Sequence, residues 1–192
     1  TIRHVALDKT GTLTRNEPSV ARVLTTSEAS EEQVLGWAAS LERHSTHPLA
    51  TAITDAAPRA KAASDVSETA GHGITGRTDG AVITVGSPRW LDSGGLTSQV
   101  AALEDEGMTV VMVHRDQVPV GAIGVRDELR PEVPEVIRIL ARQDIGVTML
   151  TGDNPRTARA LGMQAGISDV RAELTPGDKA AAIATLTRSQ PT

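Results

Sequence analysis

The strongest constraint on the fold lies beyond Asp127, where helical and strand patterns alternate. A helix is expected from about Glu132 to Ala141, a strand from Ile145 to Leu150, a helix from Pro155 to Gln164, a short strand near Val170 and a helix from about Asp178 to Leu186. Such an alternation closes as a parallel sheet with crossover helices, because parallel neighbours need long connections. This sheet lacks its first strand unless the run Ile2-Arg3-His4-Val5-Ala6-Leu7 at the start of the chain joins it. The chain therefore reads as one α/β domain in two pieces, residues 1–19 and 119–192, interrupted by an inserted α+β module over 20–118.

Inside the insertion, Ser30-Glu31-Glu32-Gln33 is a capping box, and Val34, Trp37, Ala38 and Leu41 recur at helical spacing, predicting a helix from about 30 to 44. A second helix is expected from Pro48. Thr78-Asp79-Gly80 turns a hairpin between Gly73-Ile74-Thr75 and Ala81 to Val85, and Arg115-Asp116-Gln117 separates Thr109 to Val113 from Val118 to Val125. Composition narrows the partners. With no Phe or Tyr, two Trp and a net charge of -5, the chain offers neither a base-stacking platform nor a basic stripe for nucleic acid. No Cys is present, so disulfides and thiolate metal sites are excluded. No apolar run approaches the roughly 18 residues that span a bilayer. Thr1 in place of an initiating Met, and the abrupt Ser189 to Thr192, point to excision from a longer protein.

Asp8-Lys9-Thr10-Gly11-Thr12-Leu13-Thr14 follows the first strand, at the end where open α/β sheets place ligands. A lone Asp there is usually a turn-former. An Asp carboxylate can instead attack a phosphorus if a divalent cation neutralises the phosphate and the amides of a Gly-containing turn hold it in line. These seven residues reproduce the phosphorylation motif of P-type ATPases, and the chain resembles that family over nearly its whole length. Thr151-Gly152-Asp153-Asn154, after the strand Ile145 to Leu150, matches the family's second motif, and Thr175-Pro176-Gly177-Asp178-Lys179 its third. The resemblance implies that Asp8 takes the phosphoryl group of ATP, with Lys9, Thr10, Thr151, Gly152, Asp153 and Lys179 completing the catalytic set. It also implies that Asp8 and a backbone oxygen of Thr10 bind Mg²⁺. Asp127-Glu128-Leu129-Arg130 matches a structural segment that re-enters the phosphorylation domain. Related phosphatases of the haloacid dehalogenase superfamily carry a second Asp at the position of Thr10. Without that base, water attack on a phospho-aspartate is slow, which favours a pump over a phosphatase.

Glu42 and His47 would lie about 140° apart on one helix, but Pro48 disfavours helical geometry at His47 and lets the two converge on one ligand. Gly71 and Gly73, in Gly71-His72-Gly73, allow a backbone to approach a flat ring closely. Tight strand entry and simple capping by His47 are the plain alternatives, and His44 with His47 as a zinc pair finds no further ligands nearby. Together, Glu42, His47, Gly71 and Gly73 resemble the adenine pocket of heavy-metal-transporting P-type ATPases, although Thr46 stands where Glu is common.

The expected fold is thus α/β: a haloacid-dehalogenase-like parallel sheet with an inserted α+β nucleotide-binding domain. The expected function is that of the ATP-binding, autophosphorylating cytoplasmic portion of a cation pump. Its partners are ATP, a transported heavy-metal cation in the parent protein, and that parent's membrane and actuator domains. The alternatives are a soluble phosphatase with a cap domain and a nonenzymatic nucleotide-binding module. After Leu186-Thr187-Arg188 the family continues to a Gly-Asp-Gly-x-Asn-Asp segment that supplies a Mg²⁺ ligand. The sequence ends before it, so impaired turnover and an open sheet edge near Thr192 are expected.

Overall fold

A computed structural model describes residues 2–69 and 72–189. In chain order, strand β1 (His4–Asp8) is followed by β2 (Ser19–Thr25), helices α1 (Glu31–Glu42) and α2 (Pro48–Ala56), then β3 (Ser64–Thr69), β4 (Gly73–Thr78) and β5 (Ala81–Gly86). Next come α3 (Thr97–Asp105), β6 (Thr109–Arg115), β7 (Val118–Arg126), α4 (Val133–Arg142), β8 (Gly146–Leu150), α5 (Pro155–Ala165), β9 (Asp169–Arg171) and α6 (Pro176–Ser189). They form two compact units. One holds the described residues up to Asn16, Asp105–Gly107 and those from Asp127 onward; the other holds Glu17–Glu104 and Met108–Arg126.

In the first unit the strands lie in the order β1-β8-β9, all parallel. Asp8 pairs with Leu150, and Leu150 with Arg171. This register brings the loops after β1 and β8 out side by side. Leu13, Val133, Ile137, Met149, Ala158, Leu161, Ala165 and Ile167 form the core between sheet and helices. α5 begins where Asn154 accepts from the backbone N–H groups of Arg156 and Thr157 and Pro155 opens the first turn. α6 starts at Pro176, two residues before the expected Asp178, because Thr175 and Asp178 exchange hydrogen bonds around its first turn.

The second unit is a six-stranded antiparallel sheet, β2-β7-β6-β5-β4-β3. Alternation along β6 divides its faces: Val111 and Val113 pack with Val34, Trp37, Leu41 and Ile53 of α1 and α2, while Val110 and Met112 pack with Val100 and Leu103 of α3. Ser30 and Gln33 cap α1 reciprocally, as their spacing requires. At Gly121 of β7 an added Cβ would lie 2.6 Å from both Leu24 O and a methyl of Val34, so the glycine lets α1 settle on the sheet. The insertion differs in extent from the expected 20–118. β2 begins at Ser19 and β7 runs on to Arg126, because the two strands pair with each other from Ser19↔Arg126 to Thr25↔Gly121.

Candidate active site and nucleotide pocket

In the first unit, Asp8 is the last residue of β1, and its side chain remains 44 % exposed. The chain then makes a wide turn through Lys9–Leu13, with extended backbone at Thr10 and positive φ (+76°) at Gly11. Thr14 closes the turn: its N–H donates to Lys9 O and its hydroxyl donates to Asp127 Oδ2 at 2.5 Å. The Asp127–Arg130 segment binds the same loop through Arg15 N to Glu128 O, Arg130 N to Leu13 O, and the Arg130 guanidinium to Gly11 O. Its expected structural role thus has a definite form, that of a brace under the loop that follows Asp8.

Lys179, in the first turn of α6, donates to Asp8 Oδ1. The ammonium therefore stands where negative charge gathers when a phosphoryl group meets a carboxylate. Beside it, Asp178 accepts from the Thr175 hydroxyl and backbone N–H, which hold its carboxyl below the usual range. Lys9 points elsewhere. It is 8 % exposed, and its ammonium lies 2.7 Å from Asp153 Oδ2. That buried oxygen makes no directed hydrogen bond among the described residues, so charge holds the pair.

Thr151 is buried, and its Oγ1 accepts from Asp153 N at 3.1 Å, leaving the hydroxyl proton available. The Thr151-Gly152-Asp153 loop is pinned to the end of β9 by Thr151 N to Arg171 O, Leu174 N to Thr151 O and Glu173 N to Asp153 O. Gly152 sits close enough to Leu174 O for an added Cβ to lie 3.3 Å from it. The structure thus gathers Asp8, Lys9, Thr10, Thr151, Gly152, Asp153 and Lys179 at one end of the parallel sheet. The Lys9–Asp153 pair and the Thr14–Asp127 bond had no local signal in the sequence, since their partners are joined only by the sheet register.

Mg²⁺ commonly takes one or two carboxylates and fills its octahedron with water and phosphate oxygens. Asp8, with one oxygen on Lys179 and the other unengaged among the described residues, fits such a one-carboxylate site, and Thr10 is exposed beside it. No cluster of three His, Cys, Asp or Glu occurs among the described residues that would hold a metal by protein groups alone.

In the second unit, α1 ends at Glu42 and His47 begins α2, so the break before Pro48 is present. His47 is extended, and its Nδ1 accepts from Leu49 N at 3.1 Å. The capping role is therefore real, and Nε2 is left for other contacts. Glu42 is buried. Burial, followed by the nearby Glu68, pushes its carboxyl from 4.5 up to about 7. Glu68, on β3, was not legible as a partner. Gly73 has φ +143°, and an added Cβ would lie 2.2 Å from Val85 O, so only glycine fits. Gly71 lies outside the described residues. A separate cleft of about 450 Å³ is lined by Glu32, Trp37, Lys61, Asp79 and Arg115 among others, and by none of the expected nucleotide residues.

Residues 2–191 match the haloacid dehalogenase-like hydrolases. The chain belongs to that family. Over its full length it is 54 % identical to a probable cation-transporting ATPase G of Mycobacterium tuberculosis H37Rv, covering 25 % of that protein. It is 43 % identical to a probable cobalt/nickel-exporting P-type ATPase of Mycolicibacterium smegmatis, over 96 % of this chain and 29 % of the relative. Among solved structures, a zinc-transporting PIB-type ATPase in an E2.Pi state superposes with a TM-score of 0.71 at 32 % identity, covering 99 % of this chain and 32 % of the other. The resemblance to heavy-metal P-type ATPases therefore extends over the whole chain, which spans about a quarter of the length of the curated relatives it matches.

Proposed function

We propose that this chain is the ATP-binding and phosphorylated portion of a P-type heavy-metal cation pump, with Asp8 as phosphoryl acceptor. The observation that carries the reading is Asp8 at the end of β1 with Lys179 on one carboxylate oxygen. One carboxylate oxygen of Asp8 attacks the γ-phosphorus of ATP, the bond to the β,γ-bridging oxygen breaks, and ADP leaves with that electron pair. The product is an acyl phosphate on Asp8. Lys179 offsets the charge of nucleophile and phosphate, and the Thr151 hydroxyl and the amides of its loop bind the transferred oxygens. Lys9 acts by positioning, since its ammonium is spent on Asp153. Asp8, through the oxygen that does not attack, and a backbone oxygen of Thr10 would hold Mg²⁺, which would supply charge neutralisation at the phosphate oxygens.

The exposed Thr10 offers no carboxylate to activate water, so the acyl phosphate persists long enough to be coupled to conformational change. The inserted unit binds the adenine of ATP through Glu42, His47, Gly71 and Gly73. In the parent protein both units lie on the cytoplasmic side, and the energy moves a metal cation across the membrane. No helix among the described residues is itself long and apolar enough to cross one.

The test is phosphate incorporation from γ-labelled ATP into the full-length protein, with release by hydroxylamine as the mark of an acyl phosphate. Asp8→Asn abolishes incorporation while nucleotide binding by the inserted unit survives. Continued labelling of this variant would assign the acceptor to another residue.

A further inference from the structure

Glu42 ends α1 as a buried residue, 8 % exposed, and no hydrogen bond reaches its carboxyl among the described residues. A buried carboxyl without a partner is costly, and such groups collect where a ligand completes them. The group acting on it most closely is another acid, Glu68 of β3. Glu68 stands opposite Ile74, and its neighbour Thr69 opposite Gly73, so the pair of acids lies at the corner of the sheet where β4 starts at its obligatory glycine.

Among the described residues no cation pairs with Glu42. On the elements packed against α1, Arg22 of β2, Arg77 of β4 and Asp55 of α2 are exposed, and His47 caps α2. On β6, Arg115 lies over the Trp37 ring and His114 bonds to Asp92 O.

Adenine's pairing edge presents one acceptor, N1, beside one donor, the N6 amino group. An ionised carboxylate only accepts and can satisfy the amino group alone, whereas a carboxylic acid both donates and accepts. Guanine presents two adjacent donors, N1–H and the N2 amino group, which suit the ionised form. The protonation state of a carboxyl at this edge therefore selects the purine.

We propose that Glu42 meets adenine as a neutral carboxylic acid, donating its O–H to N1 and accepting from the N6 amino group, so that ATP binding depends on a proton carried by Glu42. This rests on the reading of the inserted unit as the ATP-binding module. Burial and the Glu68 charge keep the proton on Glu42 up to about neutral pH in the free protein, and pairing with N1 holds it further. Above that range binding must take up a proton, and affinity falls by about tenfold per pH unit until the weaker binding of the ionised form takes over. The preference for ATP over GTP narrows with it.

The experiment measures the dissociation constant of ATP from pH 6 to 9 for the protein and for Glu42→Gln, whose amide donates and accepts at every pH. The ratio of the two constants cancels titration of the γ-phosphate and of groups that both proteins share. The expected result is a ratio near one at pH 6 that rises by more than tenfold at pH 9, with Glu42→Ala weak throughout. The ¹³C shift of the Glu42 carboxyl gives a second readout in the unaltered protein: it reports a protonated acid at pH 7.5 in the ATP complex. A flat ratio, or an ionised Glu42 in the complex, overturns the proposal while leaving Glu42 a nucleotide contact. If ATP binds without disturbing the Glu42 resonance, the adenine-pocket reading falls with it.

Discussion

Replacing Glu42 by Gln tests the buried carboxyl through stability alone, with no nucleotide present. In the folded protein this group titrates near 7 rather than 4.5, chiefly because burial disfavours the charged form. Between those two values the unfolded chain has released the proton and the folded chain still holds it. The folded state therefore binds more protons, and stability falls as pH rises through this window, then levels off above about 7. The shift from 4.5 to about 7 corresponds to roughly 3 kcal/mol lost across the window. Gln never ionises, so its urea-unfolding profile lacks this slope. The amide carries its own burial cost, but that cost is the same at every pH and cancels when the difference between variant and parent at pH 8 is compared with that at pH 4.5. The expected outcome is that the variant gains up to about 3 kcal/mol relative to the parent between these conditions, and that Glu68→Gln recovers a smaller part. An equal stability difference at pH 4.5 and pH 8 would refute the reasoning and return Glu42 to an ordinary solvated acid.

Lys9→Met leaves the nearly buried Asp153 without its ion-pair partner and should destabilise the unit containing the parallel sheet by about 3 kcal/mol, read as a lower urea midpoint. His47→Ala removes the cap on Leu49 N, costing about 1 kcal/mol, and weakens ATP by about five- to thirtyfold in a calorimetric titration. A loss of stability with unchanged affinity would leave His47 as a cap only.

The readable parts of this protein were those in which the local pattern and the tertiary environment agree. Ser30 to Gln33 names the start of α1, and the burial of Val34, Trp37, Ala38 and Leu41 follows its spacing. The position of Asp8 was legible because a strand end, a glycine turn and a matching second loop after β8 all fall in register. β3 was not legible. Its residues Ser-Asp-Val-Ser-Glu-Thr are almost all exposed, and only pairing with β4 makes them a strand. α3 buries little more than Val100 and Leu103, too few to show a period. The Lys9–Asp153 and Glu42–Glu68 relations depend on which strands and helices become neighbours, which no short window of sequence encodes.

The pairing of β2 with β7 has a consequence for how the inserted unit can be handled as a separate piece. Its first strand residue, Ser19, and its last, Arg126, are direct Cα partners on adjacent strands, so the two ends of this unit emerge side by side, with Asp105–Gly107 the one stretch between them that clusters with the other unit. In the other unit, Thr14 bridges Leu129 and Arg130 N bonds to Leu13 O, so the ends left by the excision are likewise already adjacent. A short turn suffices to close the gap, at little entropic cost. The same neighbourliness that lets one fold be spliced into another makes this module transplantable.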